Sequence, residues 1–107
     1  MQHIHPKELK AWLDDPGRDK PVLLDVREPW EYALCRIEGA ESVPMNSIPA
    51  RLGELDRARE TVVICHHGVR SFHVARFLEH NGFGRVINLT GGVDGWAKEA
   101  DPTMAKY

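Results

Sequence analysis

TVVICHHGVRS, residues 61–71, is the stretch that most directly indicates the fold of this chain. Residues 61–64 are the most β-branched run in the sequence, and this run ends directly at Cys65. From Arg70 to Asn81 the spacing of apolar residues is helical. A buried strand, a short loop and a helix in this order are typical of proteins in which strands alternate with helices.

The same alternation continues on both sides of this stretch. Apolar runs predict strands at residues 22–26 and 85–89, with a brief strand at 41–44. Helices are predicted from residue 6 to the turn at 14–17, at 29–34, at 48–55, at 70–81 and after residue 92. We therefore expect an α/β fold with a mostly parallel central sheet of about five strands and helices on both faces. In such sheets, ligands bind outside the carboxyl ends of the strands.

The helix over residues 70–81 has the clearest pattern. Val74, Phe77 and Leu78 are expected to form its buried face. Gly82 suits the left-handed position that closes a helix.

Length and composition limit the possible functions. A chain of 107 residues and 12.1 kDa suggests one domain spanning residues 1–107. Hydrophobic residues make up 42% and charged residues 28%, which is far from the composition of disordered chains. Fourteen Lys and Arg against sixteen Asp and Glu give a net charge of −2. This balance excludes a basic surface of the kind that drives binding to nucleic acids or anionic membranes.

The sequence also points to a compartment. No stretch approaches the roughly 20 uninterrupted apolar residues of a membrane span, and residues 1–6 lack the features of a secretory signal. Two cysteines, Cys35 and Cys65, are too few for a disulfide scaffold and do not form a Cys-x-x-Cys pair. We expect a cytoplasmic protein with reduced thiols and no membrane or nucleic-acid partner.

Cys65 is the strongest candidate for a reactive group. At the carboxyl end of a strand it would face the N–H groups of the loop and the N-terminus of the next helix, which favour anions. Thiol pKa values fall from about 8.5 into the 3.5–7.5 range in such settings. Arg70 supplies a cation suited to oxyanions, and Gly68 allows close backbone approach. A buried structural thiol is the alternative, but the loop that follows favours a nucleophile.

Four markers in the sequence point to a family. They are Leu24-Asp25-Val26-Arg27-Glu28; Glu31-Tyr32 followed by Ile37-Glu38-Gly39-Ala40; Cys65-His66-His67-Gly68-Val69-Arg70-Ser71; and Leu89-Thr90-Gly91-Gly92 leading to Trp96. In their order and spacing they resemble the rhodanese family, specifically its small single-domain sulfurtransferases, over nearly the whole chain.

Two positions depart from the family pattern. Cys35-Arg36 stands where the family usually has Gly-His, and we expect only a local change there because the position lies away from the proposed nucleophile. His66 stands where the family often has Arg, which removes a permanent charge near the substrate.

The length of the loop separates related chemistries. Four residues separate Cys65 from Arg70, as in the rhodanese loop, whereas related phosphatases and arsenate reductases have five. The tighter ring suits one added sulfur atom. Ser71 follows Arg70, as a hydroxyl residue does in the phosphatase motif. The cationic end of the loop resembles thiosulfate-using members more than mercaptopyruvate-using ones.

The resemblance implies a two-step sulfur transfer without a metal or an organic cofactor. The Cys65 thiolate would attack the outer sulfur of thiosulfate, release sulfite and carry a persulfide stabilised by loop N–H groups. A thiophilic acceptor would then take the sulfur: cyanide in an assay, a small thiol or a protein in the cell. Arg70 would steer the anionic donor. The residues expected to bind the substrate are His66, His67, Gly68, Val69, Arg70 and Ser71.

Other residues near the loop have two interpretations each. His66 and His67 could hydrogen-bond the donor, or they could be exposed residues whose backbone matters more than their rings. Asp25 and Arg27 are expected to support the site, most simply as an ion pair that anchors the strand end. Cys35 is either a resolving thiol or a small packing residue.

No metal site is expected. The histidines considered have no ligand spacing and no accompanying carboxylate: His3, His5, His66, His67 and His73. Gly91-Gly92 is expected to serve backbone geometry near the site. The three tryptophans are expected in the core or as pocket walls: Trp12, Trp30 and Trp96.

Three other functions are alternatives. A module that relays persulfide between protein partners would use the same loop. A phosphatase or arsenate reductase is disfavoured by the four-residue spacer. A redox sensor would require a disulfide between Cys35 and Cys65.

Overall fold

The structure is a computed structural model that describes residues 1–107. Its strands are β1 (Gln2–Ile4), β2 (Val22–Asp25), β3 (Glu41–Ser42), β4 (Thr61–Ile64) and β5 (Val86–Leu89). Its α-helices are α1 (Pro6–Asp14), α2 (Pro29–Leu34), α3 (Ile48–Arg51), α4 (Val69–His80) and α5 (Gly92–Glu99). Two 3₁₀ turns, Met45–Ser47 and Leu52–Glu54, flank α3. None of the helices combines the length and apolar character needed to cross a membrane.

The five strands form one parallel sheet in the order β1-β5-β4-β2-β3. This arrangement confirms the predicted α/β fold. β4 lies at the centre, with Asp25 of β2 beside Ile64 and Asn88 of β5 beside Val63. Because the strands are parallel and in register, the residues that follow β2, β4 and β5 meet at one edge of the sheet.

Helices cover both faces of the sheet, which explains why Val62, Val63 and Ile64 of its central strand are all apolar. On the α1/α5 face, Trp12 and Trp96 pack in a cluster with Val62. On the α3/α4 face, Leu78 packs in a second cluster with Val63. Successive residues of a strand point to opposite faces, so a strand buried on both sides needs apolar side chains throughout.

The sequence pattern does not predict β1. Gln2–Ile4 has three residues, and only Ile4 is partly buried, so no apolar run marks it. The strand exists because it pairs with β5 at the sheet edge, with Ile4 beside Leu89.

Two predicted elements are shorter in the structure. The helix expected over residues 48–55 has a single α-helical turn, α3, between two 3₁₀ turns. Gly53 in its second half weakens a helix. The strand expected over residues 41–44 ends at Ser42, since Pro44 has no N–H to contribute to a ladder.

The predicted buried face of α4 is wrong in one residue. Val74 and Leu78 are buried, but Phe77 is 37% exposed. Ser71 and Ala75 complete the buried face instead. Phe77 lies about 100° around the helix from Leu78, which places it outside this face. Directly after α4, Gly82 adopts the predicted left-handed conformation, with φ +89°.

Candidate active site

Cys65 lies at the carboxyl end of β4, at the edge where the central strands end. Its side chain is buried, with 1% exposed. The Gly68 N–H donates to Cys65 Sγ at 3.0 Å, and Ser71 Oγ lies 3.3 Å from the same sulfur. Because α4 begins at Val69, the positive end of a 12-residue helix lies beside the sulfur. The loop N–H and the helix end therefore direct partial positive charge toward the sulfur.

Glycines lock the loop to the neighbouring helix. Gly68 has φ +99°, and a Cβ there would lie 3.2 Å from the Gly91 nitrogen. Gly92 has φ +57°, and a Cβ there would overlap the carbonyl oxygen of Cys65. With no side chain in the way, the Val93 N–H of α5 donates to that same oxygen at 2.9 Å. Gly91-Gly92 therefore has the predicted role in backbone geometry.

Arg70 lies near the thiol but is already paired. Its two terminal nitrogens donate to both carboxylate oxygens of Glu31, at 2.7 and 2.9 Å. The hydrogen bonds from Arg70 lower the pKa of Glu31 to about 2, and the same bonds raise the pKa of Arg70. An anion at this position would therefore meet a guanidinium whose charge is partly neutralised. Sequence reasoning missed this role of Glu31, although the residue belongs to one of the family markers.

Tyr107 packs over the loop and extends the Arg70–Glu31 pair. Its hydroxyl donates to Glu31 Oε2 at 2.8 Å and accepts from Arg27 Nη1 at 2.9 Å. Burial raises the pKa of Tyr107 to about 12, so the phenol is protonated at neutral pH. Its ring stacks on His66 with centroids 3.8 Å apart, and Trp30 meets it edge to face. No sequence pattern marked Tyr107 as a site residue.

The tryptophans occupy two different environments. Trp12 and Trp96 are buried in the core, as predicted. Trp30 is 63% exposed, so of the two predicted places, core or pocket wall, the core does not apply to it. Its ring meets the Tyr107 ring edge to face, with centroids 5.8 Å apart.

Asp25 and Arg27 form the predicted ion pair at the end of β2. Arg27 Nε and Nη2 donate to the two Asp25 oxygens at 2.9 and 2.7 Å, and both residues are fully buried. Burial alone would lower the pKa of Arg27, but hydrogen bonds to Asp25 and Tyr107 outweigh it and raise the pKa. Arg27 also donates to the carbonyl oxygens of Glu31 and Cys35. The pair therefore holds the C-terminal end of α2 against β2.

Cys35 is a packing residue in this structure. Its side chain is 9% exposed and belongs to the cluster on the α1/α5 face, whereas Cys65 belongs to the α3/α4 face. Both cysteines are free. Since a disulfide requires Cα atoms within about 7 Å and suitably directed side chains, pairing across the sheet would need backbone movement. The Cys35 sulfur instead lies 3.8 Å from Arg27 Nη1. Cys35, which stands where the family usually has Gly, therefore contacts the arginine that supports the site.

The rings of His66 and His67 lie close together at the rim of the loop. Their ring centroids are 3.9 Å apart with a tilt of 31°. The His67 side chain is exposed, whereas burial, helped by the proximity of His67, lowers the pKa of His66. Asp94 of α5 joins them, and one ligand atom from each of the three residues lies within 4.8 Å of the others. The expectation that no carboxylate accompanies these histidines was therefore wrong.

These three residues could hold a transition-metal ion only after rearrangement. An imidazole coordinates through a lone pair in the plane of its ring, and the His66 ring is stacked on the Tyr107 ring with centroids 3.8 Å apart. Asp94 is also held by Lys98 at 3.0 Å. As the side chains stand, the arrangement suits stacking between Tyr107 and the loop better than metal binding.

The remaining loop residues differ in exposure. Val69 is 64% exposed at the start of α4, whereas Ser71 is fully buried beneath the sulfur.

Asn88 of β5, which sequence reasoning missed, accepts a hydrogen bond from the Ser71 hydroxyl. Its amide nitrogen donates to the Gly68 carbonyl oxygen at 3.2 Å. The available signal was a single amide residue within an otherwise apolar buried strand.

Comparison with known proteins gives relatives over the whole chain. Residues 5–99 match the sequence profile of the rhodanese-like domain. The probable adenylyltransferase/sulfurtransferase MoeZ of Mycobacterium tuberculosis is 39% identical over 106 residues, which cover 97% of this chain but 26% of that protein. The thiosulfate sulfurtransferase GlpE of Actinobacillus pleuropneumoniae is 36% identical over 104 residues, which cover 97% of this chain and 94% of GlpE. The chain thus spans about a quarter of MoeZ and nearly all of GlpE.

A solved structure shares the fold. The rhodanese-like domain protein from Staphylococcus aureus superposes with a TM-score of 0.84 at 31% sequence identity, covering 100% of this chain and 99% of the other. The family profile matches residues 5–99, and the Staphylococcus aureus structure shares the fold over nearly the whole length of both chains. The chain therefore belongs to the rhodanese-like domain family.

Proposed function

We propose that this protein is a sulfurtransferase that moves the sulfane sulfur of thiosulfate to a thiophilic acceptor through a persulfide on Cys65. One observation carries the proposal: the Cys65 sulfur accepts the Gly68 N–H at 3.0 Å beside the positive end of α4. Such a site stabilises a small sulfur anion without a metal or a separate base. The name of the GlpE relative supports thiosulfate as the donor.

The reaction proceeds in two nucleophilic displacements. The Cys65 thiolate attacks the outer sulfur of thiosulfate, a new S–S bond forms, and the bond within thiosulfate breaks so that sulfite leaves with its electron pair. Cys65 then carries a persulfide whose terminal sulfur is anionic. A thiolate or cyanide attacks that sulfur, and the Cys65 thiolate leaves. This order gives ping-pong kinetics.

Arg70 binds the sulfonate end of the donor in this proposal. Two of its N–H groups are used by Glu31, and the remaining donors of the guanidinium are available to sulfonate oxygens. About one third of the side chain is exposed, so an anion can reach it. Glu31 reduces the attraction for a dianion and at the same time holds the guanidinium in place.

Intact mass spectrometry after treatment with thiosulfate tests the proposal. We expect the protein to gain one sulfur atom and to lose it when cyanide is added. Cys65→Ser should gain none, and Cys35→Ser, the matched control with the other buried cysteine changed, should gain and lose it normally. Sulfur uptake by Cys65→Ser would show that the nucleophile is another residue.

A relay of persulfide between protein partners is the second candidate, because the MoeZ match covers only about a quarter of that larger protein. In a relay, the domain takes sulfur from one protein and passes it to another. Slow turnover with thiosulfate, together with rapid exchange of the Cys65 persulfide with a protein thiol, would favour the relay. Rapid turnover with thiosulfate and cyanide would favour the enzyme.

A further inference from the structure

A closed ring of hydrogen bonds surrounds the Cys65 thiol. The Gly68 N–H donates to Cys65 Sγ, which lies 3.3 Å from Ser71 Oγ. The Ser71 hydroxyl donates to Asn88 Oδ1, and Asn88 Nδ2 donates back to the Gly68 carbonyl oxygen. The three side chains are 1%, 0% and 4% exposed for Cys65, Ser71 and Asn88, so solvent does not replace these bonds.

The direction of the ring follows from the Gly68 carbonyl. A carbonyl oxygen only accepts, so the Asn88 amide must present its nitrogen to Gly68 and its oxygen to Ser71. That oxygen also only accepts, so the single hydroxyl proton of Ser71 is directed to Asn88. The thiol proton of Cys65 is then the only hydrogen left to lie between sulfur and Ser71 Oγ.

We propose that Asn88 is a positioning residue that controls ionisation of Cys65 through the Ser71 hydroxyl. In the thiol state, Asn88 holds the hydroxyl proton and Ser71 Oγ accepts the Cys65 S–H. When the thiol loses its proton to solvent, the hydroxyl proton rotates from Asn88 Oδ1 to the thiolate. Ser71, which touches the reacting sulfur, is thereby a catalytic residue, and Asn88 determines the cost of its rotation.

The rotation exchanges one hydrogen bond for another. The thiolate gains a charge-assisted bond from Ser71, which is stronger than a bond between neutral groups. Asn88 Oδ1 loses its donor in a buried position, which is unfavourable. Asn88 therefore opposes ionisation of Cys65, and Ser71 supports it. Substitutions at these two residues should displace the pH dependence of Cys65 in opposite directions.

Other charged or titratable groups lie on the elements packed against the loop. They are Arg70 and its partner Glu31, the neighbours His66 and His67, Asp94 of α5, Asp25 at the end of β2, Arg27 after it, and the Tyr107 phenol. None of them belongs to the ring, and the variants below leave all of them in place. A difference between the variants therefore reports on Ser71 and Asn88.

The test is the pH dependence of alkylation of Cys65 by iodoacetamide, followed by mass spectrometry of the Cys65 peptide. Ser71→Ala should move the midpoint to higher pH and slow alkylation below it about tenfold, the size expected when a bond to a charged group is lost. Asn88→Leu, which keeps the number and branching of heavy atoms, should move the midpoint to lower pH and speed alkylation several-fold, about the effect of one neutral hydrogen bond.

A double-mutant cycle distinguishes an effect of Asn88 that acts through Ser71 from a general change in the structure of the site. In the Ser71→Ala background, Asn88→Leu should no longer move the midpoint to lower pH, because the hydroxyl through which it acts is absent. Thr61→Val, another change from polar to apolar in a buried strand, is the control and should leave the midpoint unchanged. Equal shifts from Asn88→Leu in both backgrounds, or shifts of one sign from both single variants, would overturn the proposal.

Infrared spectroscopy of the Cys65 S–H group is a second test, and it does not require the Asn88→Leu variant to fold. In the Cys35→Ser protein, Cys65 holds the only thiol, and its S–H stretch can be read by infrared spectroscopy at low pH. We expect the band at the lower frequency of a hydrogen-bonded thiol, and at a higher frequency once Ser71→Ala is added. A free-thiol frequency with Ser71 in place would show that the ring does not form.

The inference rests on the proposed function only in taking Cys65 as the reacting thiol. Neither measurement uses a sulfur donor. If the alkylation midpoints of Ser71→Ala and Asn88→Leu shift in opposite directions but thiosulfate adds no sulfur, the ring is retained and the proposed function is rejected. If thiosulfate adds sulfur but the midpoints do not shift, the proposed function is retained and the ring is rejected.

Discussion

Both cysteines of this chain are buried, but one lies at the N-terminus of a helix and the other at the C-terminus of a different helix. Cys65 precedes the N-terminus of α4 and accepts a backbone N–H, whereas Cys35 follows the C-terminus of α2. A helix favours negative charge at its N-terminus and disfavours it at its C-terminus. Burial alone therefore does not make a thiol reactive, because the direction of the neighbouring dipoles decides whether a sulfur anion is stabilised.

The arginines near the two cysteines also have different roles. Arg27 near Cys35 is fully buried and committed to Asp25, to Tyr107 and to backbone carbonyls. Arg70 near Cys65 is partly exposed and retains free donors beyond its pair with Glu31. One arginine therefore stabilises the fold, and the other is available to a ligand. Changes at each side should separate stability from reactivity.

The largest effect is expected on the Cys35 side. Arg27→Met leaves Asp25 as a buried carboxylate without its partner, which typically costs about 3–5 kcal/mol of the free energy of unfolding. Urea denaturation measures this loss. Asp25→Leu combined with Arg27→Met removes both charges and should recover part of it. A loss below about 1 kcal/mol would mean that the pair does not anchor β2 to α2.

A smaller effect is expected from the glycine that donates to Cys65. Gly68→Ala forces a Cβ onto a residue with φ +99°, at about 1–2 kcal/mol, and against the Gly91 nitrogen. The N–H should move away from the sulfur, so alkylation of Cys65 should slow several-fold. Gly39→Ala is the matched control, since Gly39 has φ +87° with no atom within 4 Å of its would-be Cβ. It should lose similar stability with unchanged alkylation, and equal slowing in both variants would remove the special role of Gly68.

The smallest effect is expected from releasing Arg70. Glu31→Gln keeps the shape of the side chain but removes the charge that neutralises the guanidinium, so the KM for thiosulfate should fall a few-fold. Glu41→Gln, an exposed position with the same change in net charge, should leave KM unchanged. An increased KM in Glu31→Gln would mean that holding Arg70 in place matters more than neutralising it.

The same variant has a pH signature in stability. The pKa of Glu31 is lowered from 4.5 to about 2 in the folded protein, so its carboxylate stabilises the fold above pH 4.5 and this contribution is lost as pH falls toward 2. The free energy of unfolding of Glu31→Gln should therefore decline less steeply than that of the wild type across this range. Parallel decline in both proteins would contradict the strength of the Arg70–Glu31 pair.

Prediction from sequence succeeded where the signal is local. The β-branched run before Cys65 and the apolar spacing after Arg70 depend on neighbouring residues, and both elements form where the pattern predicts them. It failed for β1, whose three residues carry no pattern and depend on pairing with β5. It also misjudged Phe77 and left core and pocket wall open for Trp30, because composition and spacing do not say how far a neighbouring element extends over a side chain.

For the candidate site, the residue types were predictable and most of their partners were not. The sequence alone determined that a cysteine would follow a buried strand and precede a glycine, an arginine and a helix, since these features follow from the chemistry of adjacent residues. Only the tertiary structure decided which groups meet there: Asn88 reaches Ser71 from 17 residues away, Glu31 reaches Arg70 from 39, and Tyr107 reaches Glu31 from 76. Side chains so far apart in the chain meet because parallel strands end at one edge of the sheet, and no local pattern records that meeting.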